Sequence, residues 1–307
     1  RNRLARQLLR EPPDLFIGVD APDFNLDLEA RLKAKGVRTV HFISPSVWAW
    51  RAERIKKVHI AVALMLCVFP FEPALYAKHG VAATYVGHPL ADAIPLYVPR
   101  AETRAALHIA QHEQLIALLP GSRKSEIQYV APRIFAAAQL MHRQRPALRF
   151  VLPVVPGLRH AIEPLRRQYA NEVPIELLDA RSHEALAACD VALVASGTAT
   201  LETALFKRPM VICYCVHALT WQMMKRMKLQ PWVGLPNILL QETVVPELIQ
   251  GNATPEKLAQ ATLAWLDDPA RAEALVKRFH ALHLQLRRNT AKAATDAIEA
   301  LLAQAAA

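Results

Sequence analysis

The stretch Val191-Ala-Leu-Val-Ala-Ser-Gly-Thr-Ala-Thr-Leu-Glu-Thr-Ala-Leu205 decides how this chain is read. Val191 to Ala195 is a short apolar run, the pattern of a strand buried on both faces. Ser196-Gly-Thr198 turns the chain, and from Ala199 strong helix formers follow with apolar spacing. A strand that passes through a small-residue turn into a helix leaves unpaired N–H groups at the positive end of the helix dipole. Phosphate binds such a turn without a metal or a lysine. An ordinary strand–helix junction capped by Thr198 has the same local pattern. Glu202 favours the binding site: a capping box wants its acid three residues after the cap, and Glu202 lies four after Thr198. Its carboxylate is left for another task, such as the diol of a ribose.

The 307 residues, 53% of them hydrophobic, suffice for two globular domains with their own cores. The sequence opens on Arg1 with no apolar leader, so no signal peptide is expected. The longest apolar run, Ile60 to Phe71, is too short to span a bilayer. Cys67, Cys189, Cys213 and Cys215 sit in apolar segments without a C-x-x-C pair, which suits reduced core thiols in a cytoplasmic protein. A net charge of +10 implies anionic partners: phosphorylated small molecules, nucleic acid or an acidic membrane surface. The basic residues come in scattered groups with no nucleic-acid-binding signature, so nucleic acid is not the expected partner.

Working outward, Leu15–Val19 reads as a strand ending in Asp20, and Asp23 can cap a helix over Phe24–Lys35 that Gly36 stops. A strand at Val37–Ile43 leads into the loop Ser44-Pro-Ser-Val-Trp-Ala-Trp50. A basic helix (Arg51–His59), the strand Ala63–Phe69, a short helix (Glu72–His79) and the strand Ala83–Val86 follow, closed by Gly87-His88-Pro89. Tyr97-Val-Pro-Arg100 reads as a linker, after which the alternation restarts at Gln114–Leu119 with the loop Pro120-Gly-Ser-Arg-Lys124. From Thr254 the chain reads as helix, broken at Asp267-Asp-Pro269. The expected fold class is therefore α/β: two Rossmann-like parallel-sheet domains facing a cleft, with a helical C-terminal segment. The expected division is 1–97, 98–268 and 269–307, the last packing back on the first domain or exchanged in a dimer. Asp20, the Ser44–Trp50 loop, Gly121–Lys124 and Ser196–Thr198 all follow the carboxyl ends of strands, the edge where open α/β sheets bind ligands.

Six short motifs carry a family resemblance: Val19-Asp-Ala-Pro-Asp-Phe-Asn25, Ser44-Pro-Ser-Val-Trp-Ala-Trp50, Gly87-His88, Leu118-Leu-Pro-Gly-Ser-Arg123, Ala195-Ser-Gly-Thr-Ala-Thr-Leu-Glu202 and Leu235-Pro-Asn237. In this order they resemble lipid-A-disaccharide synthase, a bacterial glycosyltransferase of the GT-B architecture. The resemblance implies inverting transfer of a 2,3-diacylglucosamine from UDP to 2,3-diacylglucosamine 1-phosphate, giving a β-1,6 disaccharide and UDP. It implies no cofactor or metal, and a peripheral position on the cytoplasmic face of the inner membrane. It also implies a homodimer with exchanged C-terminal segments. Relatives of this kind carry a glycine-containing first loop and a membrane-contacting stretch ahead of the point where this sequence starts, so the first domain is expected to be short of strands.

The chemistry needs a base, charge stabilisation for the leaving diphosphate and a grip on the nucleoside. Asp20 is the candidate base for the acceptor 6-hydroxyl; the alternative is a solvated loop carboxylate. Arg123 is the candidate for the diphosphate, because guanidinium binds phosphate bidentately and is always charged. Ser122, Ser196, Gly197 and Thr198 are expected to hold the diphosphate and Glu202 the ribose. Asn237 matches a family position near the nucleotide, with a plain turn residue after Pro236 as the alternative. Ser46, Trp48 and His88 are the acceptor-side candidates. Trp221–Trp232 is amphipathic with cations between apolar residues, fitting either an anionic membrane surface or a core helix that uses Met as filler. The rival functions are another transferase or an epimerase using UDP-N-acetylglucosamine on the same fold, and a catalytically incomplete nucleotide- and membrane-binding fragment.

Overall fold

The computed structural model describes residues 1–50 and 52–303. The chain divides into two compact units. One comprises Arg1–Ala93, Met224–Gln230 and the segment from Leu284; the other comprises Ile94–Met223 and Pro231–His283.

In the first unit, α1 (Asn2–Arg10), β1 (Leu15–Val19), α2 (Pro22–Lys33), β2 (Arg38–Phe42), α3 (Arg54–Ala61), β3 (Leu64–Cys67), α4 (Glu72–Ala77), β4 (Ala83–Tyr85) and α5 (Pro89–Ala93) alternate along the chain. The strands pair in parallel in the order β1-β2-β3-β4. All four residues of β3 are buried, as a strand covered on both faces requires. The edge strand β1 is different, with Ile17 and Val19 exposed. The expected cap by Asp23 is not made. α2 starts two residues earlier, at Pro22, whose fixed φ suits the first helical position, and the Asp23 carboxylate pairs with Arg54 instead (2.6 Å). Arg51, expected to open the basic helix, lies outside the described residues, and α3 begins at Arg54.

In the second unit come α6 (Arg100–Ala106), β5 (Leu115–Leu119), α7 (Lys124–Gln144), β6 (Arg149–Val154), α8 (Arg159–Tyr169), β7 (Ile175–Asp179), α9 (Ser182–Ala188), β8 (Val191–Ala195), α10 (Thr198–Leu205) and β9 (Met210–Tyr214). They are followed by α11 (Ala218–Met227), α12 (Leu235–Leu240), β10 (Glu247–Ile249), α13 (Pro255–Asp267) and α14 (Pro269–Leu286); the last helix, α15 (Thr290–Ala303), belongs to the first unit. The six strands are parallel in the order β10-β9-β8-β5-β6-β7. β5 and β8 are buried at every position and pair directly, Leu119 beside Val194. The chain builds outward from β5 through β6 to β7, then returns to lay β8 on the other side of β5. Their following loops therefore diverge and leave a crevice at the strand ends. Arg104, wholly enclosed, ties this sheet together: it donates to the carbonyls of Ala188 and Glu113 (both 2.8 Å) and pairs with Asp190 (2.8 Å).

All four cysteines are free and buried. Among the described residues no helix is long and apolar enough to cross a membrane.

Candidate functional site

The crevice between the loops after β5 and β8 is a cavity of about 380 Å³ lying wholly within the second unit. Its walls come from Leu119–Arg123, Pro153–Pro156 and Ala195–Ala199, with Glu202 reaching in from α10.

The two turns that face it are built differently. After β8, the helix cap is Gly197 rather than Thr198; its φ of +151° is one that L side chains rarely adopt, and Thr198 is the first helical residue. Ser196 is pinned from both ends, its N–H donating to Cys213 and its hydroxyl to the Val233 carbonyl (2.8 Å). The N–H groups of Gly197, Thr198 and Ala199 find no acceptor among the described residues. Three donors at the start of α10 thus stand open toward the cavity, where an anion is favoured.

After β5, the corresponding donors are already taken. Glu126, at the third position of α7, accepts the N–H of Ser122 (2.8 Å) and of Arg123 (3.3 Å) on one oxygen and the Arg123 guanidinium (2.8 Å) on the other. This is the carboxylate half of a capping box; the arginine at the cap only donates. Gly121 (φ +117°) permits it, because a Cβ there would lie 2.5 Å from that of Glu126. The Arg123 side chain is 78% exposed, so apart from that surface pair it is free to turn toward an incoming anion.

Glu202 is half-buried and its carboxylate makes no hydrogen bond with the described residues. Burial raises its pKa above the usual carboxylate range, partly offset by nearby His183. An unpaired carboxylate held in a cavity wall is poised to accept hydroxyl donors.

Asn237 does not reach the cavity as a ligand. It is fully enclosed, its Oδ1 accepting from the N–H groups of Val244 and Val245 and its Nδ2 donating to Val245 O and Glu247 (2.8 Å). Those four bonds use the whole capacity of a carboxamide, so in this structure the side chain expected beside the nucleotide is spent on internal partners. Its work is done through Glu247, which also accepts the N–H groups of Val233 and Gly234 and so fixes the segment that receives the Ser196 hydroxyl.

In the first unit, Asp20 follows β1 in a left-handed conformation (φ 48°), as does Ala21 (φ 43°). Two consecutive residues in that region are costly for side chains other than glycine. Asn25 holds them there by donating to the carbonyls of Asp20 (2.8 Å) and Val19 (3.2 Å). The Asp20 side chain stays exposed and available. Ser46 is exposed, whereas Trp48 is buried, its ring edge-on to Phe69 and Phe71 and its Nε1 donating to Glu72 (2.9 Å). His88 is largely enclosed, and burial lowers its pKa to about 4; its Nδ1 accepts from the Leu90 N–H. Among the described residues, no group of three or more His, Cys, Asp or Glu side chains is gathered as a metal site.

Sequence reasoning missed Glu126, Glu72, Glu247 and the cavity wall at Pro153–Pro156. Pro153–Pro156 spans the carboxyl end of a strand and Glu126 stands three residues after Arg123, so both carried a signal; the other two did not.

A family model described as lipid-A-disaccharide synthetase matches residues 1–300. The lipid-A-disaccharide synthase of Albidiferax ferrireducens is 55% identical over 98% of this chain and 79% of its own length. That of Azoarcus sp. (strain BH72) is 48% identical over 100% and 79%. Among solved structures, the UDP-GlcNAc 2-epimerase of Neisseria meningitidis bound to UDP-GlcNAc superposes with a TM-score of 0.67 at 12% identity, covering 98% of this chain and 79% of that one. WaaG, a glycosyltransferase involved in lipopolysaccharide biosynthesis, superposes with a TM-score of 0.57 at 14% identity, covering 96% and 80%. These two share the fold. With one family model matching nearly end to end and relatives sharing half of its residues, the chain belongs to the lipid-A-disaccharide synthases, the glycosyltransferases that form the disaccharide in lipid A biosynthesis.

Proposed function

We propose that the second-unit cavity takes the UDP moiety of a diacylated glucosamine donor, and that the first unit handles a diacylated glucosamine 1-phosphate acceptor. The observation that carries this reading is the open set of N–H groups at Gly197–Ala199 beside the unpaired carboxylate of Glu202. The diphosphate lies on those donors and the ribose hydroxyls on Glu202. Arg123 swings from Glu126 to the diphosphate as charge develops on it, which is commonly the largest catalytic term.

The acceptor 6-hydroxyl oxygen attacks C1 of the donor sugar and forms the new C–O bond. The bond from C1 to the phosphate oxygen breaks with inversion, UDP carries away the electron pair, and Asp20 takes the hydroxyl proton. Exposed Leu219, Met223 and Leu229, in a segment that also carries Lys225, Arg226 and Lys228, support contact with an anionic membrane where acylated substrates reside.

Titration calorimetry with UDP tests the core of the reading. Wild-type protein is expected to bind, and Glu202→Ala to lose most of the heat. Equal affinity in the two proteins would remove Glu202 from the site. Equal rates with a deacylated donor would overturn the acylated-substrate assignment.

A further inference from the structure

Behind the Ser44–Trp50 loop lies a carboxylate that the reaction does not use directly. Glu72 has no exposed surface, yet donors from two separate segments converge on it. Trp48 Nε1 donates to one oxygen (2.9 Å), and the N–H groups of Val68 and Phe69, in the turn after β3, donate to the other (3.1 and 2.9 Å). Alongside, Ser44 and Tyr76 share a hydrogen bond of 2.7 Å, joining the start of the same loop to α4. Burying a carboxylate costs several kcal/mol before its partners compensate, and an apolar residue would fill the space with less penalty. A loop that needed only to be packed would not call for one.

What the carboxylate fixes is an aromatic stack. With its indole N–H tethered, Trp48 presents its ring edge-on to Phe69 (5.9 Å between centroids) and Phe71 (5.3 Å). Those two rings stack on each other (5.9 Å), and Phe69 lies against the His88 ring (5.5 Å). Val47 and Trp48 are buried while Ser46 beside them is exposed, so the Trp48 tether is one of the contacts that set which way the loop faces.

We propose that Glu72 is a positioning residue for the acceptor: it clamps Trp48, and through the aromatic stack it sets the Ser46 loop and His88 in their acceptor-binding arrangement. This rests on the acceptor-side reading of the first unit. Glu72 itself touches no substrate. The clamp depends on charge, because three N–H groups converge on the two oxygens and a protonated carboxyl would bring a fourth hydrogen among donors. Burial raises Glu72 to about 7, within reach of physiological pH. The titratable groups that sense its charge, Cys67, Tyr76 and Tyr85, are all raised by burial and stay neutral there.

The test is a double-mutant cycle on the full chain with Glu72→Gln, Trp48→Phe and the pair, read by steady-state kinetics with diacylglucosamine 1-phosphate and by UDP calorimetry. Glu72→Gln is expected to raise the acceptor KM about tenfold, the worth of one charge-assisted hydrogen bond, with UDP affinity unchanged. Trp48→Phe keeps the ring but not the N–H, and should move KM in the same direction. The pair should be no worse than the worse single variant. The wild-type acceptor KM should also rise as pH falls through about 7, and Glu72→Gln should abolish that inflection. An unchanged acceptor KM, strictly additive effects, or an equal loss of UDP affinity would overturn the clamp. If Glu72→Gln does not fold, Trp48→Phe decides: an unchanged acceptor KM there overturns the proposal. Ser46→Ala and His88→Gln separate the two levels. If they too leave the acceptor KM unmoved, the acceptor-side reading has failed; if they move it while the Glu72 and Trp48 variants do not, only the clamp has.

Discussion

Arg123 and Glu126 are locked to each other twice, the Glu126 carboxylate accepting both the guanidinium and the backbone N–H of Arg123. The side-chain half of that lock is exposed, and exposed ion pairs contribute little to stability. Arg123→Ala should therefore melt within a degree or two of the wild type, while its turnover falls on the order of a hundredfold or more. Paired melting and rate measurements check this, and a large fall in melting temperature would mean that the arginine is structural.

Glu126 is expected to behave differently. Removing it leaves the N–H groups of Ser122 and Arg123 without their acceptor, so Glu126→Ala should lose about 1 kcal/mol in denaturant unfolding. UDP affinity should rise or hold, since a competing carboxylate has left the neighbourhood of the diphosphate. A clear fall in UDP affinity with the fold intact would show that the loop's shape matters more than its vacancy.

Stability against pH should show two opposed slopes. Glu72 is raised from 4.5 to about 7, so the folded state holds its proton more tightly than the unfolded chain. Its contribution is complete below about 4.5 and is lost as pH rises toward 7. His88 is lowered from 6.5 to about 4, so its contribution is present above 6.5 and is lost as pH falls toward 4. Between about 4.5 and 6.5 the two largely cancel. His88→Gln should unmask a stability that declines with rising pH across that window, as measured by urea unfolding at stepped pH. A curve parallel to the wild type would refute the pairing.

Arg104 belongs to the scaffold. It is sealed in the second unit, and removing it leaves the Ala188 and Glu113 carbonyls without their donor, while Asp190 keeps Arg100 (2.5 Å). Arg104→Ala should cost about 3 kcal/mol by denaturant unfolding. The residual folded protein should bind UDP with normal affinity, because Arg104 is not among the residues lining the cavity.

The strands were legible wherever they were long and buried. Val191–Ala195 and Arg149–Val154 announce themselves by composition, and their order along the chain gives the parallel sheets. The pairing of β8 with β5, which makes the crevice, follows from chain reversal and leaves no local mark. β10 was invisible because three half-buried residues carry no periodicity. Asn237 shows the opposite hazard: a motif match located an important residue but not what it touches. Which partners a carboxamide satisfies is decided by residues seven to ten positions away, and only packing reveals it. Glu72 was hidden for the same reason, since Trp48, its partner, lies 24 residues back.

The free edge of β1 bears on how the protein behaves in a tube. Ile17 and Val19 are exposed on a strand that, among the described residues, has a neighbour on one side alone, and exposed Phe24 lies just beyond it. Apolar side chains exposed together on one strand favour self-association. Turbidity should climb with protein concentration under low-salt storage, and Val19→Lys should suppress it without altering the melting temperature. The Val19→Lys comparison thus probes self-association at the same strand whose end carries Asp20, the base proposed above.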